Sequence, residues 1–182
     1  MNHIRRFLFF VAFCFLGVSG FSQTPLPTGY GDIKLGMSVE EVKNALKKDS
    51  DFGYKGDRDV SLLPGENRIL IETDASVNAP WSYFSNCYFQ FYAGKLYIII
   101  LDLNRKKIDR YSVFTALCKK YGDPISLSPE KSLWQDENVR MSLESPLSVK
   151  YIDEKVFEQL QKKSLVEKST GEMSKDTFLE GL

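Results

Sequence analysis

The chain has 182 residues, of which 43% are hydrophobic and 13% aromatic, and its formal net charge at pH 7 is +0. These values suit one domain with a real hydrophobic core and exclude a charge-rich disordered chain. Because there is no basic excess, binding to nucleic acid or to an anionic membrane surface is not expected.

Residues 1–22 have the pattern of a cleavable signal peptide. Arg5 and Arg6 precede an apolar run that has signal-peptide length and is short for a membrane span. An uncleaved anchor and a lipid-modified Cys14 are the alternatives. Cleavage would leave a flexible leader over residues 23–31 and no membrane span. We therefore expect an exported protein of the periplasm or outer cell envelope of a bacterium.

The first helix is predicted by a capping box. Ser38 and Glu41 have the spacing at which each side chain can bond to the other residue's backbone N–H, so a helix should follow over residues 39–48. The polar stretch 49–63 is predicted to be a loop. The β-branched and apolar residues of 68–73 predict a strand.

Outside the predicted signal segment, the most apolar stretch is Tyr83–Leu103, which predicts a β-hairpin with its turn at Ala93-Gly94. Residues of a strand point alternately to opposite faces, so its first strand should have two different faces. One face holds Cys87, Phe89 and Phe91, and the other holds Tyr88, Gln90 and Tyr92. We expect the first set to pack against helices. The second set is either a binding surface or a second core layer.

In the second half of the chain, a predicted helix is again followed by predicted strands. Asp109 predicts the start of a helix that ends near Tyr121 and is followed by Gly122. Strands are predicted over 131–135, 139–144 and 147–152. Asp153 then predicts the start of a third helix over residues 154–163.

These elements predict an α+β fold, with helices packed on one face of an antiparallel β-meander sheet. A single domain should span residues 32–163, followed by a polar C-terminal tail over 164–182. The pattern V-x-x-A-L occurs both in Val42–Leu46 and in Val113–Leu117. Two tandem helix-plus-strands units are therefore an open alternative.

Three local sequences resemble a known family. They are Gly36-Met37-Ser38 with Glu41-Val42, the turn Tyr-Ala-Gly-Lys-Leu at 92–96, and the helix end Lys-Tyr-Gly-Asp-Pro at 120–124. Over about residues 29–152 the chain is similar to the SmpA/OmlA (BamE-like) exported domains and to the related fold of the β-lactamase inhibitor protein. This resemblance implies a helix–loop–β-meander unit, sometimes in tandem. In the inhibitor-like fold it also implies a concave sheet as the binding surface.

The histidine content limits the chemistry. The single histidine, His3, lies in the predicted signal segment. A Ser-His-Asp or Cys-His mechanism is therefore not expected, and two remaining cysteines make a poor zinc site. No phosphate-binding or dinucleotide-binding glycine motif is present. We predict that the protein is not an enzyme and uses no cofactor or metal.

The aromatic residues of the hairpin are the predicted binding site, because tyrosine gives a large contact area with a polar tip. The candidate residues are Tyr88, Gln90 and Tyr92, joined by Tyr97 and Trp134. We predict a non-catalytic module that binds another cell-envelope protein. The alternatives are a small-ligand-binding periplasmic domain, which needs an apolar cavity between helix and sheet, and a carboxylate-dependent hydrolase, which needs two convergent carboxylates.

The two remaining cysteines each fall on an apolar face. Cys87 lies on that of the hairpin, and Cys118 lies on that of the second helix. If this helix packs on this face of the sheet, a disulfide can join them and stabilise the fold. The other alternative is a pair of separate buried thiols.

Overall fold

The computed structural model describes residues 25–64, 67–164 and 179. The predicted signal segment, residues 1–22, lies outside the described residues, as does nearly all of the predicted tail over 164–182. Within the described part of the chain, no helix is both long enough and apolar enough to cross a membrane.

An eight-stranded antiparallel sheet lies at the centre of the fold. Its first meander consists of β3 (Val60–Leu62), β4 (Arg68–Asp74), β5 (Phe84–Tyr92) and β6 (Lys95–Leu103). Its second meander consists of β7 (Ser126–Leu127), β8 (Lys131–Gln135), β9 (Val139–Glu144) and β10 (Ser148–Asp153). The strand order is β3-β4-β5-β6-β10-β9-β8-β7, so the two meanders meet where β6 pairs with β10. A separate small sheet pairs β1 (Gly29–Tyr30) with β2 (Ile33–Lys34).

Each meander is preceded by a helix. Helix α1 (Val39–Lys48) comes before the first, and α3 (Arg110–Tyr121) comes before the second. A single helical turn, α2 (Ala75–Asn78), connects β4 to β5, and α4 covers residues 154–164. The predicted α+β fold is thus confirmed, and the chain contains two helix-plus-four-strands units in tandem.

The three predicted helix caps are formed. Ser38 N–H donates to Glu41 Oε2 at 2.7 Å, and Glu41 N–H donates to Ser38 Oγ at 3.3 Å. At the start of α3, Ser112 N–H donates to Asp109 Oδ1 at 2.9 Å. At the start of α4, Val156 N–H donates to Asp153 Oδ1 at 3.1 Å. Each cap satisfies a backbone donor that has no partner inside its helix.

The β5–β6 hairpin has the predicted turn. Ala93 and Gly94 both have positive φ angles, of 49° and 75°. Positive φ at both central residues matches the turn to the twist of the strands, and glycine adopts it without steric cost. Cys87, Phe89 and Phe91 are completely buried, as the alternation predicts.

One face of the sheet, the helix-covered face, forms the hydrophobic core with α1 and α3. The helices contribute Val42, Ala45 and Leu46 from α1, and Val113 and Tyr121 from α3. The sheet contributes alternate residues of its strands, including Ile71, Cys87, Phe89, Phe91, Leu96, Ile99, Leu101, Met141, Leu143, Val149 and Tyr151. Both helices therefore lie on the same side of the sheet.

The predicted flexible leader is partly wrong. Gly29–Tyr30 forms β1, and the Tyr30 ring meets the rings of Phe52 and Phe84 at centroid distances of 6.2 and 5.3 Å. The backbone approaches so closely at Gly29 that a Cβ there would lie 2.1 Å from the carbonyl oxygen of Ile33. The end of the leader at Gly29–Tyr30 is therefore held in the fold by β pairing and aromatic contacts.

The sequence also predicts a loop where β3 is found, and it misses β7 and α2. Strand β3 has three residues and β7 has two, and most of their side chains are exposed. Such short edge strands have too little apolar periodicity to be recognised. They close the two outer edges of the sheet.

Replacement of Phe89 tests which face of β5 is core. Phe89→Ala should lower the free energy of unfolding by about 3–5 kcal/mol, because it removes a fully buried ring. The centre of this ring lies 5.8 Å from the centre of the Phe52 ring. Denaturant unfolding would measure this loss. Tyr88→Ala, on the other face of the same strand, is the matched control and should cost much less. Equal and large losses at both positions would contradict the assignment.

Candidate functional site

The predicted binding residues of β5 lie together on the face of the sheet opposite α1 and α3. We call this surface, formed around Tyr88, Gln90 and Tyr92, the aromatic face. The register places Tyr88 between Glu72 and Ile100, and Gln90 between Leu70 and Ile98. Tyr92 follows, between Arg68 and Lys95. The strands therefore hold the three side chains in one row.

All three residues of this row are half-buried, so each ring or amide presents only part of its surface. Burial raises the pKa of Tyr88, and the negative charges of Glu72 and Asp102 raise it further. The Tyr88 phenol therefore stays protonated at neutral pH. It can act both as a hydrogen-bond donor and as an acceptor toward a bound partner.

Tyr97 belongs to the aromatic face through one hydrogen bond but is not exposed there. Only 6% of its surface is accessible, and its hydroxyl lies 3.4 Å from Gln90 Oε1. The β5–β6 register shifts between Gln90 and Phe91, beside this contact. Tyr97 is therefore suited to orienting the Gln90 amide rather than to touching a partner directly.

The prediction that Trp134 joins this face is wrong. Its side chain is 2% exposed and lies on the helix-covered face, where its ring meets Phe114 of α3 at a centroid distance of 6.2 Å. Its indole N–H donates to the carbonyl oxygen of Gly122 at 2.8 Å. Leu133 and Trp134 are adjacent apolar residues on opposite faces of β8, and the sequence does not indicate which of them points inward.

The far end of the same side of the sheet is charged. Glu144 of β9 accepts hydrogen bonds from Lys150 and Ser142 and forms an ion pair with Lys131 at 3.2 Å. Burial raises the pKa of Glu144, but the bonds from Lys150 and Ser142 outweigh this effect and hold the pKa below its usual value. The carboxylate is therefore ionised and fixed between two lysines.

Helix α4 borders this surface. Arg140 of β9 pairs with Glu154 at the start of α4, and its guanidinium lies 5.3 Å from the centre of the Phe157 ring. Glu154 is buried, so the ion pair is protected from solvent. These contacts fix the first turns of α4 to the second unit.

The possible disulfide between Cys87 and Cys118 is not formed. Cys87 and Cys118 are free thiols, the first buried and the second half-buried. Cys87 lies in β5 of the first unit, where its register partners are Thr73 and Leu101. Cys118 lies in α3, which packs on the second unit through Phe114 and Trp134. The alternative of two separate thiols in apolar surroundings is the correct one.

A cleft on the opposite side of the sheet was not predicted from the sequence. It has a volume of about 330 Å³. Its floor comes from Leu101 of β6 and from Val149 and Tyr151 of β10, and one wall comes from α3. Tyr30, Asp51 and Tyr83 lie at its mouth, which gives the protein an apolar cavity between a helix and the sheet.

The residues of this cleft come from six parts of the chain, so no local motif connects them. The only hint is in the segment before β5, where Trp81 and Tyr83 are separated by one residue. They are 60% and 59% exposed, which is unusual for large aromatic side chains and typical of binding surfaces.

Comparison with known proteins identifies the family to which this chain belongs. The model of the TP0088 domain family matches residues 28–163, which is most of the chain. The chain belongs to the TP0088 domain family. No curated protein and no solved structure matches it. The family match does not test the resemblance to the SmpA/OmlA (BamE-like) domains, which stays a prediction.

The position of Glu144 in this TP0088 domain predicts a pH-dependent contribution to stability. Its pKa is lower in the folded than in the unfolded state, so its stabilising effect is present above the unfolded pKa and is lost as pH falls through the folded pKa. Glu144→Gln should therefore lower the free energy of unfolding by about 1 kcal/mol at neutral pH and by less in acid. Unfolding at several pH values would measure this. Glu137→Gln, in the exposed β8–β9 turn, should show no such trend.

Proposed function

We propose that the protein is an exported, non-catalytic module of the bacterial cell envelope that binds another envelope protein through its aromatic face. The observation that carries this proposal is the row formed by Tyr88, Gln90 and Tyr92 on a rigid sheet, on the side away from α1 and α3. Tyrosines held on strands lose little conformational freedom on binding, which favours affinity.

The composition of this surface also supports protein recognition. Ile98 and Ile100 of β6 lie beside Gln90 and Tyr88 and are half-buried. The Lys131–Glu144–Lys150 cluster lies toward the β8–β9 end. An apolar and aromatic centre with charged groups at its border is the usual anatomy of a protein interface. A partner should therefore present apolar side chains at its centre and polar ones around them.

A second candidate function, small-ligand binding, is favoured by a different observation. The cleft of about 330 Å³ between α3 and the central strands is lined mainly by apolar side chains. Cavities of this kind are typical of small-molecule sites. This function uses the side of the sheet opposite the aromatic face.

The carboxylate-dependent hydrolase gains no support. A general acid for such a reaction needs a carboxyl group with a raised pKa. Among the described residues, the carboxylates with resolved shifts have lowered pKa values because they accept hydrogen bonds or pair with lysine. They are Glu41, Asp57, Asp109 and Glu144.

Site-specific photo-crosslinking in native envelopes tests the first proposal. A photo-crosslinking phenylalanine derivative in place of Tyr92 should give a discrete covalent adduct with one envelope protein, because Tyr92 lies in the proposed interface. The same derivative in place of Tyr111, which is 77% exposed on α3, is the control and should give none. Gel shift and mass analysis of the adduct would identify the partner.

Alanine substitution then tests the contribution of the row to affinity. Tyr88→Ala should weaken binding to the captured partner by about 2 kcal/mol, which is the loss expected at a central aromatic contact. Tyr111→Ala should leave the affinity unchanged. Adducts of equal yield from positions 92 and 111, or an unchanged affinity of the Tyr88→Ala variant, would refute the proposed interface.

A further inference from the structure

We propose that the cleft between α3 and the central strands binds a single-chain cationic amphiphile, with the apolar chain inside and an ammonium group at the Tyr30–Asp51–Tyr83 mouth. This inference rests on the second candidate function, small-ligand binding, and names the chemical class of the ligand. Three features of the cleft support this ligand class: its interior, its charge and its aromatic mouth.

The interior of the cleft suits an alkyl chain. Its floor is formed by Leu101 and Val149, and its wall by Ile108, Val113 and Leu117 of the α3 region. These side chains carry no polar group, so burying an alkyl chain among them removes apolar surface from water on both sides. A volume of about 330 Å³ is enough for a short chain and too small for a folded partner.

The charge at the mouth selects the head group. Among the described residues, Asp51 is the only one with a charged side chain that lines the cleft. Its Oδ1 accepts a hydrogen bond from the indole N–H of Trp81 at 3.0 Å, which fixes the carboxylate in place. Within the described part of the chain, Oδ2 has no hydrogen-bond partner and can bind a cation.

Aromatic residues accompany Asp51: Tyr30 and Tyr83 line the cleft with it, and Trp81 donates a hydrogen bond to it. Tyr30 is 43% exposed, and Tyr83 and Trp81 are more exposed still. Cations bind to the faces of such rings, and alkylammonium groups do so with little loss of hydration. Burial raises the pKa of Tyr30, and the negative charges of Asp49 and Asp51 raise it further, so the local potential also favours a cation.

A lysine bonded to the backbone beside the cleft does not reverse this preference. Lys107 Nζ donates to the carbonyl oxygens of Pro80 and Ser82, at 2.5 and 2.8 Å. Its ammonium group is therefore directed to the backbone of the loop and does not line the cleft. An anionic head group at the mouth would meet Asp51 without a compensating cation.

Three probes built on a linear six-carbon chain test the proposal: hexyltrimethylammonium, 1-hexanol and hexanoate, each titrated below its micelle concentration into the full-length protein. Calorimetry or NMR shift changes give the dissociation constants. The ammonium probe should bind about tenfold more tightly than hexanol, and hexanoate should bind most weakly.

Asp51→Asn removes the charge and keeps an oxygen that can accept from Trp81. It should weaken binding of the ammonium probe about tenfold and leave hexanol unchanged. Glu137→Gln, which removes an exposed carboxylate elsewhere, is its control. Ala116→Phe should fill the cleft and abolish binding of all three probes, because Ala116 lines the cleft. Since Ala116 is exposed, the larger side chain should not disturb the core. Thr115→Phe, at the neighbouring exposed position of α3, should bind normally.

These experiments distinguish a failure of the cationic ligand class from a failure of small-ligand binding itself. Equal affinities for the three probes, a preference for hexanoate, or an Asp51→Asn variant that keeps its ammonium affinity would overturn the cationic ligand class and leave small-ligand binding standing. If no probe binds, or if Ala116→Phe and Thr115→Phe behave alike, the cleft is not a ligand site and the second candidate function fails with it.

Discussion

Strands β6 and β10 pair antiparallel over five residue pairs, from Ile98 opposite Ile152 to Asp102 opposite Ser148. This pairing joins the last strands of the two helix-plus-four-strands units. The joining strands are antiparallel, the strand order runs outward from them in both units, and α1 and α3 pack on the same face of the sheet. The pairing also removes the longest free edges of both meanders. The edges that remain belong to β3 and β7, which are too short to pair readily with another chain.

The cleft lies beside the β6–β10 pairing because the two helices do not cover their strands equally. Ala45 and Leu46 of α1 are buried, whereas Ala116 is exposed and Leu117 half-buried at the corresponding places of the V-x-x-A-L pattern in α3. Helix α1 thus covers its strands more completely than α3 does. The space beside α3 is bounded by residues of the paired strands β6 and β10 and by Tyr30 of β1. The two units therefore share one architecture, and the looser packing of α3 leaves the space that forms the cleft.

The sequence predicts those parts of the fold where one local pattern is strong. The capping box at Ser38, the alternation through β5 and the Asp109 cap of α3 each specify an element without help from the rest of the chain. The face of Trp134 was not predictable, because Leu133 beside it is equally suited to the core. The cleft was not predictable either, since its residues meet only after β6 pairs with β10. Local chemistry thus specifies the elements, and the long-range pairing specifies the sites.

The central strands give both surfaces their shape, and the alternation of side chains keeps them separate. In β6, Ile99 and Leu101 point to the helix-covered face and Ile98 and Ile100 to the aromatic face. In β10, Val149 and Tyr151 point to the first face and Lys150 and Ile152 to the second. Adjacent residues therefore serve different sites while sharing one rigid backbone. A side-chain change on one face alters the packing of that face alone, so the contributions of the two sites should be additive unless the sheet itself is distorted.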